Sequence, residues 1–443
     1  MRRSYVIQGI FWVLVYILLI SAPIWILFTG ELPPGRELWR ELSVSLGFLG
    51  LAMMMLQFVL TARFKTIKAP YGADIVYHFH RQISFVALAF ILLHPLLLFI
   101  FSPATLALLN IFTAPWRAKA GVSAVILLIL LIAASVWRKL WKIEYTRWRI
   151  WHGVLAIIVV ALATTHIILA RHYLNTPMKQ VLWISYGVFW IWLLVYVRLV
   201  KPLMLMRTPY EVVSVTAERN NAWSLTVQPA GHKGFEFMPG QFAWITARNN
   251  PFEESEHPFS ISSSAARPET LTFTIKELGD FTSRIKELKP GEKVYVDGPY
   301  GHFSADRHQH AEHLVFIAGG VGITPFMSML RTIAERGEKR QLTLLYANKD
   351  WENIIFREEI EALQKMLNLK VVYVLEKPPE DWSGETGFVT RAVLERHLPK
   401  AEQRNVVEIF ICGPLPMLNA VERALADIGI PYGDYHSERF DLV

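Results

Sequence analysis

The sequence predicts a multi-domain membrane protein: a six-helix transmembrane bundle, then a small antiparallel β-barrel, then an α/β domain built on a parallel sheet. Three observations lead there. Apolar runs dominate residues 1 to about 205 of the 443, whereas the rest has ordinary soluble composition. Histidines recur inside those apolar runs at a repeated spacing. After Arg207 the hydrophobic pattern shortens to that of strands, and from His313 strands alternate with helices. The expected domains are 1–205, 206–310 and 311–443.

Six segments approach the roughly 20 apolar residues that cross a hydrocarbon core, at about 5–28, 43–62, 80–101, 121–137, 151–170 and 181–200. An even number puts both ends of the bundle on one side. Basic residues say which. Arg2, Arg3, Arg63, Lys65, Lys68, Arg81, Arg198, Lys201 and Arg207 share a face with the loop carrying Arg138, Lys139, Lys142, Arg147 and Arg149, while the other face has only Arg36, Arg40, Arg117, Lys119, Arg171 and Lys179. Both termini are therefore expected in the cytoplasm, and the chain in the cell membrane. The apolar run behind Arg2 and Arg3 resembles a signal peptide but is too long and lacks a small-residue cleavage site, so a retained anchor is expected. A single cysteine, Cys412, excludes internal disulfides and any thiol-built zinc or iron–sulfur centre. The net charge of +7 is accounted for by membrane-flanking loops and calls for no nucleic-acid partner.

The membrane half holds His78, His80, His94, His152, His166 and His172. His80 and His94 are 14 residues apart, as are His152 and His166. In an α-helix that interval is about 1,400°, nearly four whole turns, with a rise of about 21 Å. Each pair therefore faces one direction from two depths. The third and fifth segments run the same way, so His80 levels with His152 and His94 with His166. Histidines hydrogen-bonding neighbouring helices are the plain alternative, but ionisable groups within a bilayer suggest function. Two facing histidines can hold a haem axially, so the spacing predicts two b-type haems. His78 and His172 are expected at the membrane boundary.

After Arg207, "YEVVSVTAERNNAWSLTVQPA", "QFAWITA", "LTFTIKEL" and "KVYVDGPYG" alternate in hydrophobicity between Pro and Gly turns, which predicts the antiparallel barrel. From His313, "HLVFIAGGVGITPFMSMLRTIAERG" reads as a buried strand, a glycine-rich turn and a helix. Strand-like "QLTLLYA", "LKVVYVLE" and "VEIFICG" then alternate with helical "FREEIEALQKML" and "MLNAVERALADIG", as in a nucleotide-binding parallel sheet.

"HPFSISS" (His257 to Ser263), "GDFT" (Gly279 to Thr282), "GGVGITP" (Gly319 to Pro325) and "CGP" (Cys412 to Pro414) follow the order seen in the ferredoxin-reductase-like flavoproteins. Joined to the histidine quartet, the chain resembles the NADPH oxidase and ferric reductase family of transmembrane flavocytochromes over nearly its whole length. It looks like a minimal prokaryotic member, without room for a calcium-binding module. The resemblance implies FAD on the barrel, NADPH or NADH on the parallel sheet and two haems b on the quartet. Phe259 would lie beside the isoalloxazine, Ser260 would hydrogen-bond near its N5, and His257 with Pro258 would face the pyrophosphate. Gly279 and Thr282, with Lys276 nearby, would approach phosphate. Gly319, Gly320, Gly322, Thr324 and Pro325 would cradle the dinucleotide phosphates, with Cys412, Gly413 and Pro414 at the nicotinamide. Phe440 would shield the flavin, although three residues follow it. Lys349 or Arg357 suits a 2′-phosphate and Asp350 a 2′-hydroxyl, with NADPH favoured.

The implied activity moves electrons from cytoplasmic NADPH through FAD and the haems to a small-molecule acceptor beyond the far face, with no obligate protein partner. Dioxygen, giving superoxide, is favoured over a ferric chelate. Four residues beyond His94, where oxidases of this family commonly have another histidine, stands Leu98, so any outer cation would come from Arg171 or His172. A membrane-tethered flavin reductase with structural histidines, and a non-catalytic redox sensor, stay open as alternatives.

Overall fold

The computed structural model describes residues 2–31, 34–64, 73–110, 112–248, 250–253, 256–399 and 406–439. The chain divides into two compact units, one holding most residues up to Pro202 and the other most residues from Leu203, with the boundary inside the short helix after the sixth span.

The first unit is helical: α1 (Arg2–Leu27), α2 (Leu38–Thr61), α3 (Ala73–Phe101), α4 (Trp116–Val136), α5 (Tyr145–Ala170) and α6 (Pro177–Val195), followed by a π-helical turn and α7 (Lys201–Met206). Among the described residues, six helices are long and apolar enough to cross a membrane. Several begin before the apolar run does. α5, for example, includes Tyr145 to Arg149, a polar first turn that is helical without being hydrophobic. Outward faces are apolar, with Ile7, Phe11, Leu14 and Leu18 exposed on α1 and Val181, Ile184, Val188 and Ile191 on α6, surfaces that hydrocarbon would cover. Phe48, Leu51, Met54, Ala87, Leu128, Val160, Trp183 and Trp190 fill the interior. The fully buried Lys179 is satisfied there, its Nζ donating to the Glu31 carbonyl at 2.8 Å and to Asn175 Oδ1 at 3.0 Å.

The second unit contains two sheets. β1 (Tyr210–Glu218), β2 (Ala222–Pro229), β3 (Phe242–Ala247), β4 (His257–Ser260), β5 (Leu271–Lys276) and β6 (Lys293–Tyr300) pair antiparallel in the order β4-β3-β6-β1-β2-β5, with a short α8 (Asp280–Ser283) after β5. A bridge between Ile261 and Phe273 joins the two edges and closes the barrel. Its strands alternate as expected: Leu271, Phe273 and Ile275 point into a core shared with Leu225, Ile245 and Val294.

The second sheet is wholly parallel: β7 (His313–Gly319), α9 (Thr324–Arg336), β8 (Gln341–Asn348), α10 (Arg357–Met366), β9 (Leu369–Leu375), β10 (Glu385–Thr386), α11 (Arg391–His397), β11 (Val407–Cys412), α12 (Leu415–Asp427) and β12 (Tyr435–Glu438). The strand order β10-β9-β8-β7-β11-β12 reverses direction between β7 and β11, the switch point where α/β sheets bind ligands. Every residue of β7 and β11 is buried, which accounts for their unbroken apolar sequences. The expected ferredoxin-reductase-like pairing of antiparallel and parallel sheets is what the chain adopts. Helix α9 ties them together. Ser328 Oγ donates to the Ser263 carbonyl at 2.8 Å, Arg331 to the Ser262 carbonyl at 2.6 Å, and Thr332 Oγ1 accepts from Ala265 N–H at 2.9 Å.

Candidate cofactor sites

The four histidines expected as haem ligands meet in the first unit as two pairs on facing helices α3 and α5. Ring centroids are 6.4 Å apart for His80 and His152, and 6.2 Å for His94 and His166. Two imidazoles bound trans to one metal at about 2.0 Å would place their centroids about 6.3 Å apart, so both gaps fit a single iron between the rings.

Hydrogen bonds orient three of the rings. His94 Nδ1 donates to the Ser43 carbonyl at 2.8 Å, and His166 Nδ1 to the Arg117 carbonyl at 2.7 Å. A carbonyl can only accept, so each proton sits on Nδ1 and the Nε2 lone pair is free to ligate. Ser135 Oγ donates to the Leu131 carbonyl and therefore accepts from His152 Nδ1, at 3.1 Å. Space is supplied by glycine: a Cβ at Gly121 would lie 2.8 Å from His166 Nδ1, and one at Gly47 would lie 3.3 Å from the His94 ring. His80 differs, because its Nδ1 is buried without a partner among the described residues. On α2, Ser43 serves His94; seven residues further Gly50 faces Ala87, seven back on α3. Another seven brings Gln57 to the level of His80. Gln57 is buried, and among the described residues both its side-chain polar atoms also lack partners. His78 is exposed on α3, and His172 follows Arg171, whose left-handed backbone ends α5.

In the second unit, β4 pairs with β3, placing Ala243 opposite Phe259 and Trp244 opposite Pro258. Ser260 is buried and its Oγ has no hydrogen-bond partner, an orphaned hydroxyl that suits a polar edge of a bound flavin. Phe281, which the sequence reading did not single out, stacks on His257 at 4.2 Å and reaches Phe259 at 5.9 Å. Gly279 is extended, with open space where a Cβ would be. Thr282 Oγ1 is engaged by its own loop, accepting from the N–H groups of Leu278 at 2.8 Å and Gly279 at 3.0 Å. Lys276 ends β5, half-buried.

The glycines after β7 have separate reasons. A Cβ at Gly322 would strike the Cys412 carbonyl, so its turn packs on the backbone after β11, and one at Gly319 would lie 2.5 Å from Met417 Sδ and 2.9 Å from Pro414 Cδ, side chains at the start of α12. A Cβ at Gly413 would come within 3.1 Å of Gly319 N, a backbone approach between the same two turns. Gly320 alone combines a positive φ of 53° with open space, leaving the turn accessible to a phosphate. Tyr346 holds that turn by donating to the Gly320 carbonyl at 3.1 Å. Thr324 Oγ1 donates to the Val321 carbonyl at 2.7 Å, and Pro325 occupies the first turn of α9. Burial, helped by the Glu438 carboxylate, raises the Cys412 thiol well above its ordinary value, so it meets the switch point as a neutral group.

Beyond β8, Lys349 is exposed, whereas Asp350 accepts from Asn353 N–H at 3.0 Å and from its side-chain amide at 2.7 Å. Arg357 lies over the Trp351 ring at 4.7 Å and donates to its carbonyl. Phe440 lies outside the described residues.

Three family models match the chain: a ferric reductase like transmembrane component over residues 46–164, an FAD-binding domain over 197–304 and an oxidoreductase NAD-binding domain over 316–423. NADH-cytochrome b5 reductase 2 of Phaeosphaeria nodorum is 33% identical over 191 residues, 42% of this chain and 56% of that protein. NADH-cytochrome b5 reductase 1 of Cryptococcus neoformans is 38% identical over 163 residues, 35% of this chain and 55% of that protein. The chain thus spans a little over half the length of the curated relatives it matches. The crystal structure of flavohemoglobin from Malassezia yamatoensis covers 91% of this chain and 99% of its own at a TM-score of 0.50 and 16% identity, a likeness of fold.

Proposed function

From a chain that joins a ferric-reductase-like transmembrane component to FAD-binding and NAD-binding oxidoreductase domains, the architecture of NADPH oxidases and ferric reductases, we propose a transmembrane path for electrons. It runs from cytoplasmic NADPH through FAD and two haems b to dioxygen on the opposite face, giving superoxide. The observation that carries this reading is the matched pair of histidine gaps, 6.4 and 6.2 Å, at two depths of one bundle. When bound, FAD takes up a hydride and releases its electrons singly, which one-electron haem iron requires.

The residues divide the work. The Gly320 turn and Thr324 at the start of α9 would receive the dinucleotide phosphates, with Gly319, Gly322 and Gly413 closing the cradle and Cys412 and Pro414 bounding the nicotinamide. Lys349 is free to pair with a 2′-phosphate, and Asp350 is engaged by Asn353, which supports NADPH although the relatives above are named for NADH. Ser260 would donate to the flavin edge, with Phe259 and His257 along its length and Gly279 near its phosphates. His80 with His152 and His94 with His166 would hold the two haems, which would supply one-electron carriers at two depths of the bundle. The distribution of basic residues between the loops supports a cytoplasmic side for both termini.

Ferric-chelate reduction is the second reading, favoured by the match to the ferric reductase like component. Sealed proteoliposomes supplied with external NADPH decide between them. Superoxide inside the vesicles, removed by entrapped dismutase, is the expected result; dismutase-insensitive iron reduction without superoxide under air would replace the oxidase reading. A purified protein without an intense Soret band would remove the haems altogether.

A further inference from the structure

Away from the nucleotide turn, at the opposite ends of the same strands, three histidines surround one buried carboxylate. Glu408 is the second residue of β11 and only 5% exposed. Its Oε1 lies 3.0 Å from His310 Nε2 and 3.2 Å from His308 Nδ1, and its Oε2 lies 2.8 Å from His436 Nε2. His308 and His310 belong to the segment leading from the barrel into β7, and His436 belongs to β12. Burial works to raise the Glu408 carboxyl, but hydrogen bonds from His308 and His436 outweigh it and hold the group well below the usual carboxylate range.

We propose that His308, His310 and Glu408 form a binding site for a zinc-class divalent transition-metal ion, with His436 as the residue that positions the carboxylate. The ligand atoms of the three lie within 4.8 Å of one another. Ligands at about 2.0–2.1 Å in a tetrahedron are about 3.3–3.4 Å apart, so the observed 3.0 and 3.2 Å need little adjustment to admit an ion. Two imidazoles and one carboxylate suit zinc, cobalt or nickel and do not suit the all-oxygen preference of calcium or magnesium. The two oxygens have separate tasks: Oε1 faces both ligating imidazoles, and Oε2 is held by the third, the outer-shell arrangement that orients metal-bound carboxylates. The His310 side chain is 54% exposed, which gives an ion an entrance and leaves its fourth position open to water. A bound ion would clamp the segment entering β7 to β11 and, through Glu408, to the last strand. The site is independent of the haem and flavin assignments.

The test uses the full chain in detergent, stripped with a chelator, incubated with zinc chloride and desalted, with zinc and iron counted separately by mass spectrometry. Wild type should retain about one zinc per chain above the level of His308→Gln/His310→Gln. Zinc should raise the melting temperature of wild type and not of the double variant. The single variant His310→Gln, at an exposed position, guards against misfolding; with its flavin content intact, its zinc affinity against a chromophoric chelator should fall about 100-fold or more. His232→Gln, a histidine elsewhere in the unit, should behave as wild type. Equal zinc in wild type and both site variants, or loss on His232→Gln alone, would overturn the site and leave the cluster as an ion-pair network only.

Discussion

The two histidine pairs have nearly equal ring separations but are held by different means. His94 and His166 donate to backbone carbonyls, of Ser43 and Arg117, which move only if a helix moves. His152 leans on a side-chain hydroxyl, Ser135, and His80 Nδ1 has no partner among the described residues. One pair is therefore set by the packing of helices, the other by side chains that substitution can remove or that can turn. An acceptor on Nδ1 raises imidazole basicity and favours ferric over ferrous iron. Under the proposed function, the pair with two carbonyl acceptors should hold the haem of lower midpoint potential.

The largest expected effect comes from the ligands themselves. His166→Ala and His80→Ala should each lower the haem-to-FAD ratio from about two to about one, by pyridine haemochrome assay, while NADPH still bleaches the flavin. Loss of both haems from either variant would show that the pairs are not separate sites. Next come the glycines that make room. Gly121→Ala puts a methyl 2.8 Å from His166 and should eject most of one haem, whereas Gly47→Ala, at 3.3 Å from His94, should keep it. Equal ratios in these two variants would remove the packing argument. Ser135→Ala should then speed the loss of one haem to apomyoglobin about 10–100-fold, the usual effect of removing an outer-shell partner. Ser43→Ala should do less, since it removes the hydroxyl that lies 3.0 Å from His94 Nδ1 and donates to the His94 carbonyl at 2.7 Å but leaves the Ser43 carbonyl that accepts from Nδ1. The smallest effect is expected at Gln57. If its amide oxygen turns to accept from His80, Gln57→Leu should raise the midpoint potential of one haem in a redox titration and leave the other in place. No shift in either would leave Gln57 without a role at that pair.

The histidine quartet was legible because a helix converts sequence interval into depth and direction by a fixed rule, so 14 residues needed no knowledge of neighbours. The partners were not, because Ser43, Gly47, Arg117, Gly121 and Ser135 stand on α2 and α4, and their facing depends on how helices pack. A signal did exist: Ser43 and Gln57, like Gly121 and Ser135, are also 14 apart. In the second unit the motifs identified β4 and the turn after β7, and alternation identified most strands. β10, α11 and β12 escaped, being short and set by pairing with longer neighbours. In sequence the glycines after β7 look alike, as one phosphate-binding group. The structure separates Gly320, open to solvent, from Gly319 and Gly322, which are required by the turn after β11 and the start of α12. Phe281 sat inside a quoted motif unnoticed, since stacking on His257 depends on how the loop before α8 folds back.

The repeated interval along α3 has an electrical consequence. Fourteen residues separate His80 from His94 by about 21 Å, some two thirds of a hydrocarbon core about 30 Å thick. An electron passing between haems at those depths would cross a similar share of the membrane voltage, about 1.5 kcal/mol for every 100 mV. Each NADPH oxidised would send two negative charges outward and leave a proton behind. Under the proposed function, a membrane that is negative inside would favour the outward step, and every turnover would discharge it. In sealed vesicles without an ionophore, steady turnover should therefore slow as the interior of the compartment supplying NADPH grows positive, and valinomycin with potassium should restore it.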